Sequence, residues 1–173
     1  MIKELWILIK MLFKSNPKEK EEVTLLGMNH FPFKGYKYLM WCGYMIYRIE
    51  KKDEIVKEML TKKFEVSKTH ETIHLMQAKI CGSWVKYYWH YFVEWLKGNP
   101  IAVPSHSAYY TIPYEMEAYA NEDYSEYPDG MILYIDDYTN GIHGKYMIKN
   151  GRKKLYKKVG GTSTAWKEYI KTL

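Results

Sequence analysis

The chain has 173 residues, 47% of them hydrophobic, which is enough for one domain with a real core and too little for two well-grown ones. That apolar share excludes a disordered chain. The charge of +6 comes with only two arginines, Arg48 and Arg152, and no nucleic-acid-binding signature, so no specific nucleic-acid partner is expected and the lysines read as a solvated surface. Cys42 and Cys81 lie outside any C-x-x-C and make no disulfide framework, which points to buried thiols in a reducing, cytoplasmic setting.

In chain order, residues 1–14 read as an amphipathic helix, because Ile2, Leu5, Trp6, Ile9, Leu12 and Phe13 share one face. Lys10 and Lys14 interrupt the apolar run and no small-residue cleavage site follows, so it is not read as a secretory signal. Two placements stay open: docking on the domain, or peripheral contact with a membrane or partner. Residues 16–22 are a charged linker or turn. The aromatic and β-branched stretch from Tyr36 to Ile49 predicts one long strand or two short ones broken near Gly43.

Asp53 is placed to cap a short helix with Ile55, Val56, Met59 and Leu60 on its buried side. A long helix is predicted from near Ser67 to at least Ile80, with Gly82-Ser83 as a kink before a second, core helix from Trp84 to Leu96. Within that helix His90 and Glu94 are four apart and suit a structural polar pair. Residues 99–112 read as a loop. Pro113 suits the first turn of a helix over residues 114–122. Beyond Pro128-Asp129-Gly130, the segments 131–138, 142–149 and 153–159, separated by Asn140-Gly141 and Asn150-Gly151, predict an antiparallel meander. A terminal helix over 164–173 closes the chain. The fold class expected is α+β, in a single domain over 1–173.

The chemistry concentrates in His70-Glu71-Thr72-Ile73-His74, an H-E-x-x-H pentapeptide. With six histidines and fifteen glutamates, chance would place it in about 2% of shuffled chains of this composition, so a coincidental surface helix is the weaker reading. On a helix both imidazoles face one way, one turn apart, and can share a metal. Glu71 then sits beside them, suited to handle a water rather than to bind the ion. Glu115, forty-one residues beyond His74, offers a third ligand from a second helix, and one coordination position stays open. Glu117, about 200° around that helix, is the alternative third ligand.

These residues resemble the gluzincins, zinc metallopeptidases with an H-E-x-x-H pair and a distant glutamate. Asn29-His30-Phe31-Pro32-Phe33, the run His70-Glu71-Thr72-Ile73-His74-Leu75-Met76-Gln77, and Pro113-Tyr114-Glu115-Met116-Glu117-Ala118-Tyr119-Ala120-Asn121-Glu122 are similar to a group of small bacterial proteins of H-E-x-I-H-x-x-Q pattern. The resemblance covers residues 28–123. It implies a zincin-like core, a zinc cofactor held by His70, His74 and Glu115, and hydrolysis of a peptide or amide bond through a zinc-bound water activated by Glu71. Peptides or proteins would be the substrates.

Several gluzincins carry, four residues past the ligand glutamate, an Asp that orients a zinc histidine. Here that position is Tyr119, leaving Glu122 or Asn121 to take the part. Gln77, three residues after His74, can bond a ligand, the water or a substrate amide, or simply edge the cleft. Tyr119, Tyr124, His106 and Tyr109 are oxyanion donors by chemistry alone. The rival reading is a catalytically weak or inactive zincin-like protein whose metal, if bound, staples helices together, and whose first helix can hold it at a membrane.

Overall fold

The aromatic stretch resolves into a hairpin. In a computed structural model describing residues 1–34, 36–98, 105–123 and 151–172, strands β2 (Leu39–Trp41) and β3 (Tyr44–Arg48) pair antiparallel around a Cys42-Gly43 turn. Both turn residues have positive φ, 51° and 79°, the handedness that matches the right-handed twist of a tight hairpin and that glycine tolerates best. A strand absent from the sequence reading, β1 (Thr24–Met28), lies parallel to β3, giving a mixed sheet in the order β1-β3-β2. The expected α+β content is therefore present among the described residues, as a small sheet with many helices.

The chain divides into two compact units, Met1–Tyr87 and Tyr88–Leu173. In the first, helix α1 (Ile2–Lys14) sits on the sheet through Leu8 and Met11, which join Met28, Phe31 and Ile46 in one apolar cluster. Trp41 Nε1 donates to the Leu8 carbonyl at 2.9 Å. The predicted apolar face is not the docked one. Ile2, Leu5, Trp6 and Phe13 stay exposed, because the narrower Leu8–Met11 edge fits the sheet.

Helix α2 (Lys52–Glu58) starts after Lys51 without a side-chain cap, so Asp53 lies inside its first turn rather than ahead of it. Only Ile55 of its predicted apolar side is buried; Val56, Met59 and Leu60 face solvent. Cys42 and Cys81 are buried thiols outside any disulfide, as expected, and burial pushes the Cys42 thiol up to about 12.

Helix α3 (Lys62–Cys81) begins five residues before the predicted Ser67. Thr61 is the true cap, accepting from the Phe64 amide at 3.3 Å, while Ser67 bonds back to the Lys63 carbonyl. Twenty residues free of Gly and Pro carry it to Gly82, whose left-handed φ of 81° ends the helix where a kink was expected. Helix α4 (Trp84–Lys97) then starts afresh and is one-sided rather than wholly core: Trp84, Tyr87 and Glu94 are buried, Val85, Trp89, Phe92 and Leu96 exposed. Buried Glu94 takes the Lys97 ammonium.

In the second unit, the segment read as a loop contains helix α5 (Ser105–Tyr110), and Pro113 opens helix α6 (Pro113–Asn121) as predicted. The third strand of the predicted meander is instead helix α7 (Gly151–Lys158). Leu155, Tyr156 and Val159 recur at helical spacing, among lysines that favour helix. The two strands predicted over 131–138 and 142–149 lie outside the described residues. Helix α8 (Ser163–Ile170) follows, capped by Thr162. Met116, Tyr156, Trp166 and Ile170 form a core joining α6, α7 and α8, and Trp166 Nε1 donates to the Tyr110 carbonyl at 2.6 Å. Among the described residues no helix is long and apolar enough to cross a membrane.

Candidate metal centre

Helix α3 carries an unusual buried stripe. His70, His74 and Gln77 repeat at i, i+4 and i+7, the spacing of one helical face, and none is more than 6% exposed. Polar side chains removed from water need partners, or each costs about 1–3 kcal/mol. Here they partner one another. His74 Nδ1 meets Gln77 Oε1 at 2.8 Å. An amide oxygen can only accept, so Nδ1 carries a proton, and in the neutral ring His74 Nε2 then keeps its lone pair.

That lone pair points to its neighbour. His74 Nε2 and His70 Nε2 are 3.1 Å apart, with the rings edge to face at 83° and centroids 4.8 Å apart. Two nitrogens bound to one tetrahedral zinc at about 2.0–2.1 Å stand roughly 3.3 Å from each other. The pair is therefore spaced as ligands of a single small dication would be, and the donor set fits a metal. Glu71, half-buried, follows His70 directly. At about 100° per residue it falls between the histidine stripe and the side of α3 bearing Phe64 and Lys68. On that side lies a cavity of about 230 Å³ lined by Val23, Leu25, Met45, Met59 and Phe64, with Lys68 and Glu22 forming an ion pair among its lining residues.

In the second unit, α6 buries both glutamates, Glu115 at 2% and Glu117 at 0% exposure. Glu115 is the one held by phenols. Tyr91 of α4 donates to Glu115 Oε1 at 2.7 Å, and the Tyr109 hydroxyl also hydrogen-bonds this carboxylate. Burial first, and then the Glu115 charge, pushes the Tyr109 hydroxyl well up, so it stays a proton donor. Tyr119 is raised for the same two reasons and hydrogen-bonds Tyr109, while the Lys167 ammonium sits 3.9 Å from its ring centre.

The residues considered for orienting a histidine are engaged in their own unit. Glu122 pairs with Lys167 at 3.7 Å, and Asn121 donates to the Glu117 carbonyl at 2.8 Å. The atom that does fix a histidine is Gln77 Oε1. Tyr91 was missed by sequence reading, since nothing among the rings of the Trp84–Leu96 stretch marks one whose partner lies 24 residues away. Tyr124 and the side chain of His106 lie outside the described residues. Compared with protein-family models, curated proteins and solved structures, the chain finds no match.

Proposed function

We propose that this protein is a zinc-dependent hydrolase of peptide or amide bonds on the gluzincin plan, with His70, His74 and Glu115 as metal ligands and Glu71 as general base. The observation that carries the proposal is the approach of two buried imidazole nitrogens to 3.1 Å, one of them fixed as a lone-pair donor by Gln77. Among the described residues, the buried set His70, His74 and Glu115 has the chemistry to hold a metal ion, and Glu117 does not belong to it. Two nitrogens and one carboxylate oxygen suit zinc with a position left open.

A zinc ion held by these residues would supply Lewis acidity for a carbonyl and a water. Glu71 takes the proton of the attacking water and passes it to the leaving amine. Gln77 keeps His74 in the tautomer that presents Nε2. Tyr91 and Tyr109 pin the Glu115 carboxylate so that it does not rotate away. The apolar cavity on the Glu71 side of α3 gives a substrate side chain a place to sit, beside a β1 edge that no other strand covers among the described residues.

Elemental analysis of the purified protein, followed by mass spectrometry of a digested peptide library, tests the proposal. The expected result is stoichiometric zinc and defined cleavage products, with Glu71→Gln retaining zinc and losing cleavage. A wild-type protein that takes up no divalent metal, or a Glu71→Gln protein of undiminished activity, overturns it. Zinc without turnover across the library assigns the chain to the rival class, in which the metal is a staple.

A further inference from the structure

The outward face of α1 has no role in the metal centre. Ile2 is 81% exposed, Trp6 56% and Phe13 72%, with Leu5 close to half exposed. Ile2, Leu5, Trp6, Ile9, Leu12 and Phe13 fall within an arc of roughly 120° that starts beside Leu8 and turns away from the Leu8–Met11 edge resting on the sheet, with Ile9 and Leu12 half-buried. The helix is thus anchored on one side and presents a continuous apolar strip on the other. Phe33, 64% exposed and stacked edge-on to Phe31 of the same cluster at 5.2 Å between ring centres, adds to the apolar surface of this unit.

Charge decides what such a strip fits. Lys3, Lys10 and Lys14 are exposed and line one flank, with the Lys10 ammonium 5.6 Å from the Trp6 ring centre. The single acid of the helix, Glu4, is turned away from it: its oxygens accept from the backbone N–H of Asn29 at 2.7 Å and of His30 at 3.0 Å. The lysine flank of the helix is therefore cationic, and the one acid of α1 is bound elsewhere. A second copy packed antiparallel on the strip would bring the two lysine flanks to the same side, whereas anionic lipid headgroups complement them in any orientation and acyl chains accept the rings.

We infer that α1 is an interfacial helix that lies flat on an anionic lipid bilayer, its Trp6–Phe13 strip entering the headgroup boundary and Lys3, Lys10 and Lys14 contacting headgroups. At about 1.5 Å per residue its 13 residues lie along some 20 Å of surface and cross nothing.

Co-sedimentation of the full chain with vesicles of phosphatidylserine and phosphatidylcholine, against phosphatidylcholine alone, is the test. The expected result is binding to the anionic vesicles that weakens as salt rises. Trp6→Glu with Phe13→Glu should reduce the partition at least about tenfold. Lys10→Glu with Lys14→Glu should reduce it about fivefold per charge removed, from roughly 1 kcal/mol per lysine near such a surface. Circular dichroism of each variant establishes that it folds, and neither substitution touches the buried edge of α1. Absence of binding to the anionic vesicles, equal binding to the neutral ones, or wild-type partition by the folded Trp6/Phe13 variant overturns the inference. Self-association in lipid-free buffer that the same variant abolishes would assign the strip to a second copy and overturn it as well.

Discussion

Helix α3 keeps two imidazoles and a carboxamide almost wholly out of water, whereas α1, in the same unit, leaves Ile2, Trp6 and Phe13 more than half exposed. Both depart from the ordinary partition of side chains, in opposite senses. The difference lies in how each departure is compensated. On α3 the polar groups find partners within the stripe, Gln77 to His74 and His74 to His70, so the burial is sustainable and tightly ordered. On α1 the exposed rings lack such a compensation, since apolar surface is satisfied only by more apolar surface, at about 1.5–3 kcal/mol for a large side chain fully covered. On the function proposed above, the first pattern would receive a metal ion between side chains already in place. On the inference drawn above, the second would be covered by lipid.

The comparison breaks hardest at His74. His74→Ala removes one donor and strips Gln77 and His70 of their partner, and elemental analysis is expected to find no retained zinc. For the wild type, chelation should lower the melting temperature by the linkage of a tight site, about 3–4 kcal/mol at a metal concentration of a hundred to a thousand times Kd, and the variant should not respond to chelator. Trp166→Ala, in the α6–α8 core, is expected to cost about 3–5 kcal/mol in denaturant unfolding.

Gln77→Leu keeps the volume but takes away the acceptor of the His74 proton. Zinc affinity measured by competition with a chromogenic chelator is expected to fall about 10- to 100-fold. An unchanged affinity would mean that the amide orients nothing.

The attachment of α1 can be sharpened by pH. Burial pushes the Glu4 carboxyl up, but the hydrogen bonds from Asn29 and His30 outweigh it and hold its pKa below 4.5. The folded pKa is thus lower than the unfolded one. The contribution to stability is present above pH 4.5 and is lost as pH falls through the depressed folded value. Thermal unfolding of Glu4→Gln against wild type should differ near neutrality and converge in acid. The smallest effect is expected at the strip itself: Phe13→Ser should change stability by no more than about 0.5 kcal/mol, because nothing in the fold is lost with that ring. A large loss would show that α1 needs its outer face for folding.

Much of this was legible in the letters. The periodicity of His70, His74 and Gln77 is a property of any helix, and Pro113 announced the start of α6 because its missing amide costs nothing there. Gly43 marked a break between two short strands as one of two possibilities, and the hairpin realises it. Features set by distant partners were not legible. Strand β1 has a charged approach and a glycine, Gly27, within it, and it is a strand because β3 offers it a ladder. The segment 153–159 alternates loosely enough to suggest a strand, yet Tyr156 gains a core against Trp166 and Ile170 only as a helix. The apolar residues of α1 were read correctly as one face. Which face docks was decided by the shape of the sheet beneath Leu8 and Met11. At the candidate site, the grip of Tyr91 on Glu115 spans two helices and leaves no local trace.

The amide at position 77 has an electrical consequence. A carboxylate in its place, as the orienting group, would bring a full negative charge to the imidazole it holds, whereas Gln77 brings only a dipole. In the proposed centre the formal anions beside a dication would be the Glu115 ligand and the Glu71 base, and Gln77 would add none. A carboxylate at position 77 would weaken the electrophile and its hold on oxyanions, inhibitory ones included.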